Sequence, residues 1–402
     1  MYTIQTLNKI SPAGTSLFDP AVYTVTDTAQ NPDAIMVRSA SMHEMEFSDQ
    51  LLAIARAGAG VNNIPVADCA QKGICVFNTP GANANAVKEL VLTGLLLSSR
   101  KITQGMQWAA TLKEQGDQVG KLVEKGKSQF VGPEIQGKTL GIIGLGAIGA
   151  LVANAAIALG MQVVGTDPFL SVGAALRLNP AVRVVGTQEA VFAAADYLTI
   201  HVPCNADTKG MINQETIALM KDGVRVLNYA RGELVNDDDM LAALASGKVS
   251  CYCTDFPNAK TCCAEGVLAT PHLGASTPES EDNCASMAAQ ELMTYLETGN
   301  IRNSVNMPNA ELDAKGPKIC IIHKNIPAMI ANITAAIAKA GLNIETTVNA
   351  SRGDIAYTML EVGGAVSSAR MISNLLSGWK TGLPVSWRIS PIFPILGPMT
   401  TL

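Results

Sequence analysis

The sequence predicts an α/β protein of two doubly wound parallel-sheet domains followed by a smaller α+β module. Short apolar runs alternate with helical stretches through most of the 402 residues, the pattern of βαβ units around a parallel sheet. One apolar run breaks into a glycine-rich turn at residues 144–149. From Lys318 a strand, a helix and two strands follow in close order, a βαββ unit.

Composition excludes several classes of function. With 48% apolar and 16% charged residues the chain is globular, and its length suits two or three domains. A net charge of −5 gives no electrostatic footprint for nucleic acid or an anionic membrane, so neither is an expected partner. The opening stretch MYTIQTLNKI lacks a long apolar core, and no apolar run approaches the ~18 residues of a membrane span. Nine cysteines, several in apolar segments such as Cys75 and Cys320, suggest reduced thiols in a cytoplasmic protein. Cys251, Cys253, Cys262 and Cys263 lie close together, but C-x-C and adjacent C-C are not zinc spacings, so no metal is expected.

Early in the chain, Ala34-Ile35-Met36-Val37, Leu52-Ala53-Ile54-Ala55 and Ile74-Cys75-Val76-Phe77 have the character of buried strands. Arg38-Ser39 follows the first, and Arg56-Ala57-Gly58-Ala59-Gly60 follows the second. Ligands of open α/β sheets collect at such carboxyl ends. Glycine N–H groups with arginine suit an anion there, although ordinary loops with surface arginines have the same spacing. A helix over 86–100 leads into residues 113–138, rich in glycine and charge, which suggest an exposed loop.

The glycine turn is the strongest local signal. A strand over 139–143 opens into Gly144-Leu145-Gly146-Ala147-Ile148-Gly149, an Ala-rich helix follows, and a second strand over 161–165 leads to Asp167. This is the Rossmann-type dinucleotide fingerprint in its strand–turn–helix–strand context. Gly144 permits the tight turn, Gly146 close approach of a pyrophosphate, and Gly149 helix–strand packing. Asp167 suits an adenosine ribose and repels a 2′-phosphate, which favours NAD over NADP. Further strands are expected over 196–203, 224–228, 250–254 and 267–270, the last three leading to Arg231, Asp255 and His272. Arg231 can clamp a carboxylate, and His272 can exchange a proton near neutrality. On spacing alone, a lone histidine after a strand is more often structural than catalytic. Asp237, Asp238 and Asp239 open a helix, where acids complement the dipole without any metal.

The stretches NYARGELV (228–235) and ATPHLGASTPES (269–280), with ARAGAGVNNI (55–64) and VFNTPGANANAVKELVL (76–92), resemble the D-isomer-specific 2-hydroxyacid dehydrogenases, and within them the phosphoglycerate-oxidising branch. The resemblance covers roughly residues 34–362. It implies NAD-dependent oxidation of a small anionic 2-hydroxy acid, 3-phospho-D-glycerate, as the entry to serine synthesis. Arg231 would bind the substrate carboxylate and His272 would be the acid–base. NAD would contact Gly144, Gly146, Ala147, Ile148, Gly149, Asp167, His201, Pro203, Tyr229, Ala230, Arg231, Asp255, His272, Gly274 and Ala275. Arg38, Ser39, Arg56, Gly58, Ala59 and Gly60 would hold the substrate's anionic groups. It further implies a discontinuous substrate domain, 1–98 with 276–306, around an NAD domain, 99–275, with the active site between two hinged lobes. A glyoxylate or hydroxypyruvate reductase and a catalytically weak NAD-responsive regulator are the competing readings.

One departure from the family concerns the histidine. The family usually carries a Glu about five residues beyond the Asp255 position, paired to the histidine, whereas here Phe256-Pro257-Asn258-Ala259-Lys260 follows. Glu265 or Asp255 is expected to position His272 instead. After a linker over 307–317, residues 318–390 resemble an ACT domain of the serine-binding type. That resemblance implies an L-serine effector touching His323, Asn325 and Asn343. The alternative is a purely structural dimerisation module. Ala328 stands where the family prefers glycine. A helix over 371–376 and a strand over 385–389 would complete the module, with 391–402 left as a tail of unclear structure. Loop 113–138 and the ACT-like module both suggest self-association, as a homodimer or homotetramer.

Overall fold

The computed structural model describes residues 1–363 and 388–392. The chain forms two compact units, one joining Met1–Ala82 with Glu281–Leu402 and the other spanning Asn83–Ser280. The expected helix at 371–376, most of the expected strand at 385–389, and the tail beyond Ile392 lie outside the described residues.

The first unit is built on a five-stranded parallel sheet: β1 (Tyr2–Leu7), β2 (Tyr23–Thr26), β3 (Ala34–Val37), β4 (Ala53–Arg56) and β5 (Cys75–Phe77), in the order β2-β1-β3-β4-β5. Strands β3 and β5 are buried along their whole length, and β4 except at Arg56. This is why they are continuous apolar runs rather than alternating ones. The helix Pro278–Thr298 covers one face through Cys284, Ala285, Ala288, Ala289, Leu292, Tyr295 and Leu296, a three- and four-residue spacing that makes one apolar stripe.

The second unit holds a seven-stranded parallel sheet: β6 (Thr139–Ile143), β7 (Gln162–Thr166), β8 (Arg183–Val184), β9 (Tyr197–Ile200), β10 (Val224–Asn228), β11 (Val249–Thr254) and β12 (Val267–Ala269). Their order is β12-β11-β10-β9-β6-β7-β8. The doubly wound expectation holds for both parallel sheets. The region 113–138 has no buried residue, as expected of it, but residues 113–130 are helical rather than loop. The chain forms the helices Ile102–Thr111 and Val119–Gly126 with 3₁₀ turns at Lys113–Gln118 and Lys127–Phe130. Trp108 packs on Phe130 at 5.3 Å between ring centres and Leu112 is buried, so a few apolar anchors organise an otherwise charged segment. Asp237, Asp238 and Asp239 occupy the first turn of the helix Asp237–Ala245, capped by Asn236. Among the described residues no cluster of metal-ligating side chains forms.

The C-terminal sheet comprises β13 (Lys318–Lys324), β14 (Asn343–Arg352), β15 (Ile355–Gly363) and β16 (Arg388–Ile392), antiparallel in the order β14-β15-β13-β16. Strand β13 alternates between two cores. Ile319 and Ile321 pack with Ile333 and Ile337 of the helix Met329–Lys339, while Cys320 and Ile322 join Phe77, Tyr295 and Tyr357 in the core of the first unit. Residues 307–317 are therefore not the free linker expected. Met307, Ala310 and Leu312 are buried, the Lys318 ammonium donates to the carbonyls of Thr298 and Leu312, and the Tyr357 hydroxyl donates to Gly299 O at 2.8 Å. Ala328 caps the helix in the left-handed region, at φ +66, where a Cβ costs about 1 kcal/mol.

One buried acid in this unit links structure to pH. Glu291 is 7% exposed; one carboxylate oxygen accepts from Asn303 Nδ2 at 2.8 Å, and the other has no partner. Burial pushes its pKa up to about 8. Below pH ~4.5 folded and unfolded states both hold the proton; between there and about 8 only the folded state does, so stability falls as pH rises. Glu291→Gln should remove that slope and be more stable than the native protein by roughly 3 kcal/mol near pH 7, as urea melts at pH 5, 7 and 8 would read.

Candidate functional site

All seven strands of the second unit run parallel, so their carboxyl ends share one edge. Chain connections diverge at β6, which sends β7 to one side while β9 lies on the other; a crevice opens at such a switch point. The glycine turn and His201 lie there. Gly144 has φ +93, and a Cβ on it would stand 2.6 Å from His201 O. A Cβ on Gly149 would stand 1.9 Å from Gly144 O. Those two glycines are demanded by the fold. Gly146 differs: a Cβ there would meet nothing within 4 Å, so the protein itself leaves that space open.

The residues around this opening fit a dinucleotide. The helix Ala147–Ala158 has no side-chain cap and no acid in its first turn, leaving amide donors and the positive end of the dipole for a diphosphate. Asp167 accepts from Leu145 N and Phe169 N, each at 2.9 Å. These bonds brace the turn against the end of β7 and leave acceptor capacity for a ribose. His201 contacts Thr199 Oγ1 through Nε2 at 3.0 Å, while its buried Nδ1 has no partner. Burial pushes its pKa down to about 4, so the ring is neutral at neutral pH. Pro203 is exposed beyond the same strand, its carbonyl accepting from Thr208 Oγ1 at 2.6 Å.

Arg231, Asp255 and His272 follow the adjacent strands β10, β11 and β12. Arg231 is exposed; its loop is set by the fully buried Asn228, whose Nδ2 donates to Arg231 O at 2.8 Å and whose Oδ1 accepts from Ala230 N at 3.2 Å. Tyr229 is buried, fitting against Gly94, where any Cβ would be 2.1 Å from its hydroxyl. Asp255 is 1% exposed. Its Oδ1 accepts from Thr270 Oγ1 at 2.5 Å and Leu273 N at 2.8 Å, and its Oδ2 from Gly274 N at 2.8 Å. His272 itself is exposed, with φ +57, and its ring packs 4.9 Å from that of Phe256. The expected carboxylate support for the His272 ring thus takes another form. The Asp255 carboxylate accepts from the Thr270 hydroxyl before the histidine and from the Leu273 and Gly274 amides after it, and among the described residues no ion pair joins Glu265 to the histidine. Gly274 is buried and Ala275 half-buried beside this loop.

Sequence reasoning missed Asn228, Thr270 and Phe256. An asparagine ending a strand ahead of a turn was the available signal for the first; nothing local marks the other two.

In the first unit the proposed anion-binding residues follow β3 and β4. Arg38 pairs with Glu281 at 2.7 Å, both side chains about two-fifths exposed. Arg56 Nε donates to Arg38 O at 3.0 Å. Its guanidinium lies over Gly58, where a Cβ would be 1.9 Å from it. Ala59 O accepts from Asn78 Nδ2 at 2.6 Å, which fixes the loop ahead of Gly60. Ser39 N donates to Asn8 Oδ1 at 3.1 Å. A cavity of about 670 Å³ opens beyond β1 and β2, lined by Asn8, Lys9, Thr26, Asp27 and Ala40 among others; none of the arginines lines it.

On the C-terminal sheet, His323 is turned inward. It is 4% exposed, with Nδ1 against Lys324 O and Nε2 against Thr358 Oγ1, both at 2.8 Å. That commits its ring to the sheet rather than to an effector. Asn325 and Asn343 are exposed, and their side-chain amides donate to Gly353 O at 3.1 Å and Glu345 Oε1 at 2.7 Å.

The glycine geometry separates binding from folding. Gly146→Ala should keep the native melting temperature yet weaken NAD binding by at least about tenfold. Gly149→Ala should lower the melting temperature, because Gly144 O must move. Calorimetry with NAD and thermal melts on both variants check this pair of outcomes.

Residues 93–274 match the family described as D-isomer specific 2-hydroxyacid dehydrogenase, NAD binding domain. The chain is 34% identical over 296 residues to a D-3-phosphoglycerate dehydrogenase of Methanocaldococcus jannaschii, covering 71% of this chain and 54% of that one. It is 31% identical over 343 residues to one of Mycobacterium tuberculosis, covering 82% and 60%. It thus spans little more than half the length of these curated relatives. Among solved structures, NAD⁺-bound 3-phosphoglycerate dehydrogenase of Entamoeba histolytica matches with a TM-score of 0.60 at 24% identity, covering 76% of this chain and 98% of the other. D-mandelate dehydrogenase of Rhodotorula graminis matches with a TM-score of 0.63 at 20% identity, covering 76% and 97%. Residues 93–274 are thus similar to the NAD-binding domain of the D-isomer-specific 2-hydroxyacid dehydrogenases.

Proposed function

We propose that the protein catalyses the NAD-dependent oxidation of 3-phospho-D-glycerate to 3-phosphohydroxypyruvate, the first step of L-serine biosynthesis. The observation that carries this reading is the placement of Arg231, Asp255 and His272 after three adjacent strands, on the edge that holds the glycine turn. NAD, when bound, supplies the hydride acceptor. Arg231 pairs with the substrate carboxylate through its two-pronged guanidinium and orients the carbon that loses hydride. His272 takes the hydroxyl proton, its backbone held by Asp255 and its ring by Phe256. Arg38, Ser39, Arg56, Gly58, Ala59 and Gly60 supply the first unit's anion-binding groups. The Arg38–Glu281 pair is exposed enough for a phosphate to displace the acid at little cost.

The test is turnover of 3-phosphoglycerate with NAD in the presence of a carbonyl trap, compared with glycerate and with reduction of glyoxylate. The phosphorylated acid should have the highest kcat/KM. His272→Asn should lower kcat by about 10²–10⁴-fold while NAD binding is retained. Preference for unphosphorylated acids would make the protein a glyoxylate or hydroxypyruvate reductase. NAD binding without turnover of any hydroxy acid would make it a regulator.

The C-terminal sheet, with its helix on one face, supports reading it as an ACT-like module that binds L-serine between copies of the chain, in a cytoplasmic homodimer or homotetramer. Asn325 and Asn343 are the exposed amides suited to the effector's charged groups, with His323 bracing the strand that leads to them. Ala328 occupies the left-handed position that glycine would hold without strain. L-Serine should lower turnover, and Asn343→Ala should abolish that response without altering the uninhibited rate; an insensitive native enzyme removes the regulatory role.

A further inference from the structure

The loop that runs from Asp255 to His272 carries two adjacent cysteines that the proposed reaction does not use. Of the nine cysteines, six are buried and Cys204 is half-buried; Cys262 and Cys263 alone are exposed. Burial also pushes the thiols of Cys69 and Cys75 up, to about 11 and about 12. Shielded, protonated thiols are poor nucleophiles, so a reagent meets Cys262 and Cys263 first.

Their loop is anchored at its near end around Asn258 and joins the sheet at its far end, where Tyr252 N donates to Gly266 O at 2.9 Å. Asn258 Oδ1 accepts from Lys260 N at 2.9 Å and Thr261 N at 3.2 Å, and Asn258 Nδ2 donates to Asp237 Oδ2 at 2.8 Å. Lys260 pairs with Asp238 at 2.7 Å, and Cys262 N donates to Asn258 O at 2.9 Å. Cys263 has φ +60, a conformation that is uncommon for a residue with a Cβ. Beyond it lie Glu265, Gly266 and β12, a three-residue strand at the edge of the sheet. Thr270, which donates to Asp255, and His272 follow directly.

We propose that Cys262 and Cys263 form a dithiol modification site, closed to a disulfide by low-molecular-weight disulfides such as glutathione disulfide. The thiolate of one cysteine attacks glutathione disulfide and releases one glutathione. The thiolate of its neighbour then attacks the mixed disulfide and releases a second. The protein loses two hydrogens as protons and two electrons, and one glutathione disulfide becomes two glutathione thiols. Neighbouring Cα atoms across a trans peptide are ~3.8 Å apart, whereas disulfides ordinarily span about 4.4–6.8 Å. Closure therefore twists the local backbone. With the near end pinned at Asn258, the displacement is carried through the Ala264 turn, whose carbonyl accepts from Val267 N at 3.1 Å, to β12 and the His272 loop. Such a strained bond is readily reduced, which suits a reversible change. The effect on turnover rests on the proposed function; formation of the bond does not.

The experiment incubates the full chain with millimolar glutathione disulfide, blocks remaining thiols with an alkylating agent, and measures the peptide holding both cysteines by mass spectrometry. Expected is a mass lower by two hydrogens at that peptide, reversed by dithiothreitol. A several-fold fall in turnover of 3-phosphoglycerate should accompany it and recover on reduction, with Cys263→Ser resistant. No internal bond, or a mixed disulfide that never closes, overturns the proposal. Closure with unchanged turnover overturns the link to His272. A protein that closes the bond yet turns over no hydroxy acid would refute the proposed function and leave the dithiol site standing.

Discussion

The Asp255 carboxylate is the contact on which the candidate catalytic edge depends. It is buried, and its two oxygens receive three donors, one hydroxyl and two amides, all from residues 270–274. A charged acceptor binds such donors about twice as strongly as a neutral one, and left without them in the interior it would be strongly destabilising. Acid and loop therefore enforce one another. His272 sits between the two anchored stretches, in a left-handed conformation that an unbraced loop would not hold. A short, half-exposed edge strand can present a histidine at a defined place because the acid at the end of the neighbouring strand grips the chain on both sides of it.

The parallel sheet supplies the second constraint. Strands that all run one way put every carboxyl end on one edge, so the glycine turn, His201, Arg231, Asp255 and His272 share an edge although they span residues 144–272. Within that edge the three motif glycines divide their labour. Gly144 and Gly149 are needed because the protein's own carbonyls crowd them, whereas the space a Cβ on Gly146 would take is open. Asp167 joins the two functions, since the carboxylate that would face a ribose also accepts the Leu145 amide and braces the turn.

Much of this was legible in the sequence where a local rule acts alone. Strands β3, β6 and β10 announce themselves as apolar runs, and the fingerprint specifies its own turn. The shortfall comes where distant residues decide. Residues 113–138 look like a charged loop because their order depends on a few anchors, Trp108 meeting Phe130 across the segment and Leu112 buried beneath it. Residues 307–317 look like a linker because nothing local reveals that Met307 and Leu312 find a core. A motif describes support for His272 as a carboxylate facing its ring; in the structure the carboxylate holds the Thr270 hydroxyl and two backbone amides instead, which no side-chain pattern displays. The sequence points to Asp255 as a candidate partner but does not display the means by which it acts.

The same contrast governs the C-terminal sheet. A strand that alternates between two apolar sets must be covered on both faces, and β13 is: one set packs under the helix Met329–Lys339 and the other completes the core around Phe77 and Tyr295. Lys318, buried and with its pKa lowered by desolvation, satisfies its ammonium on the carbonyls of Thr298 and Leu312, which fastens the start of β13 to the end of the long helix. The sheet is thus an integral layer of the first unit, not a tethered appendage. A structural role and an effector role are then compatible. Ile319 and Ile321 beneath the helix are one residue away from Cys320 and Ile322 in the shared core. A ligand that tightened the helix side would draw on the very strand that the first unit uses to close its interior.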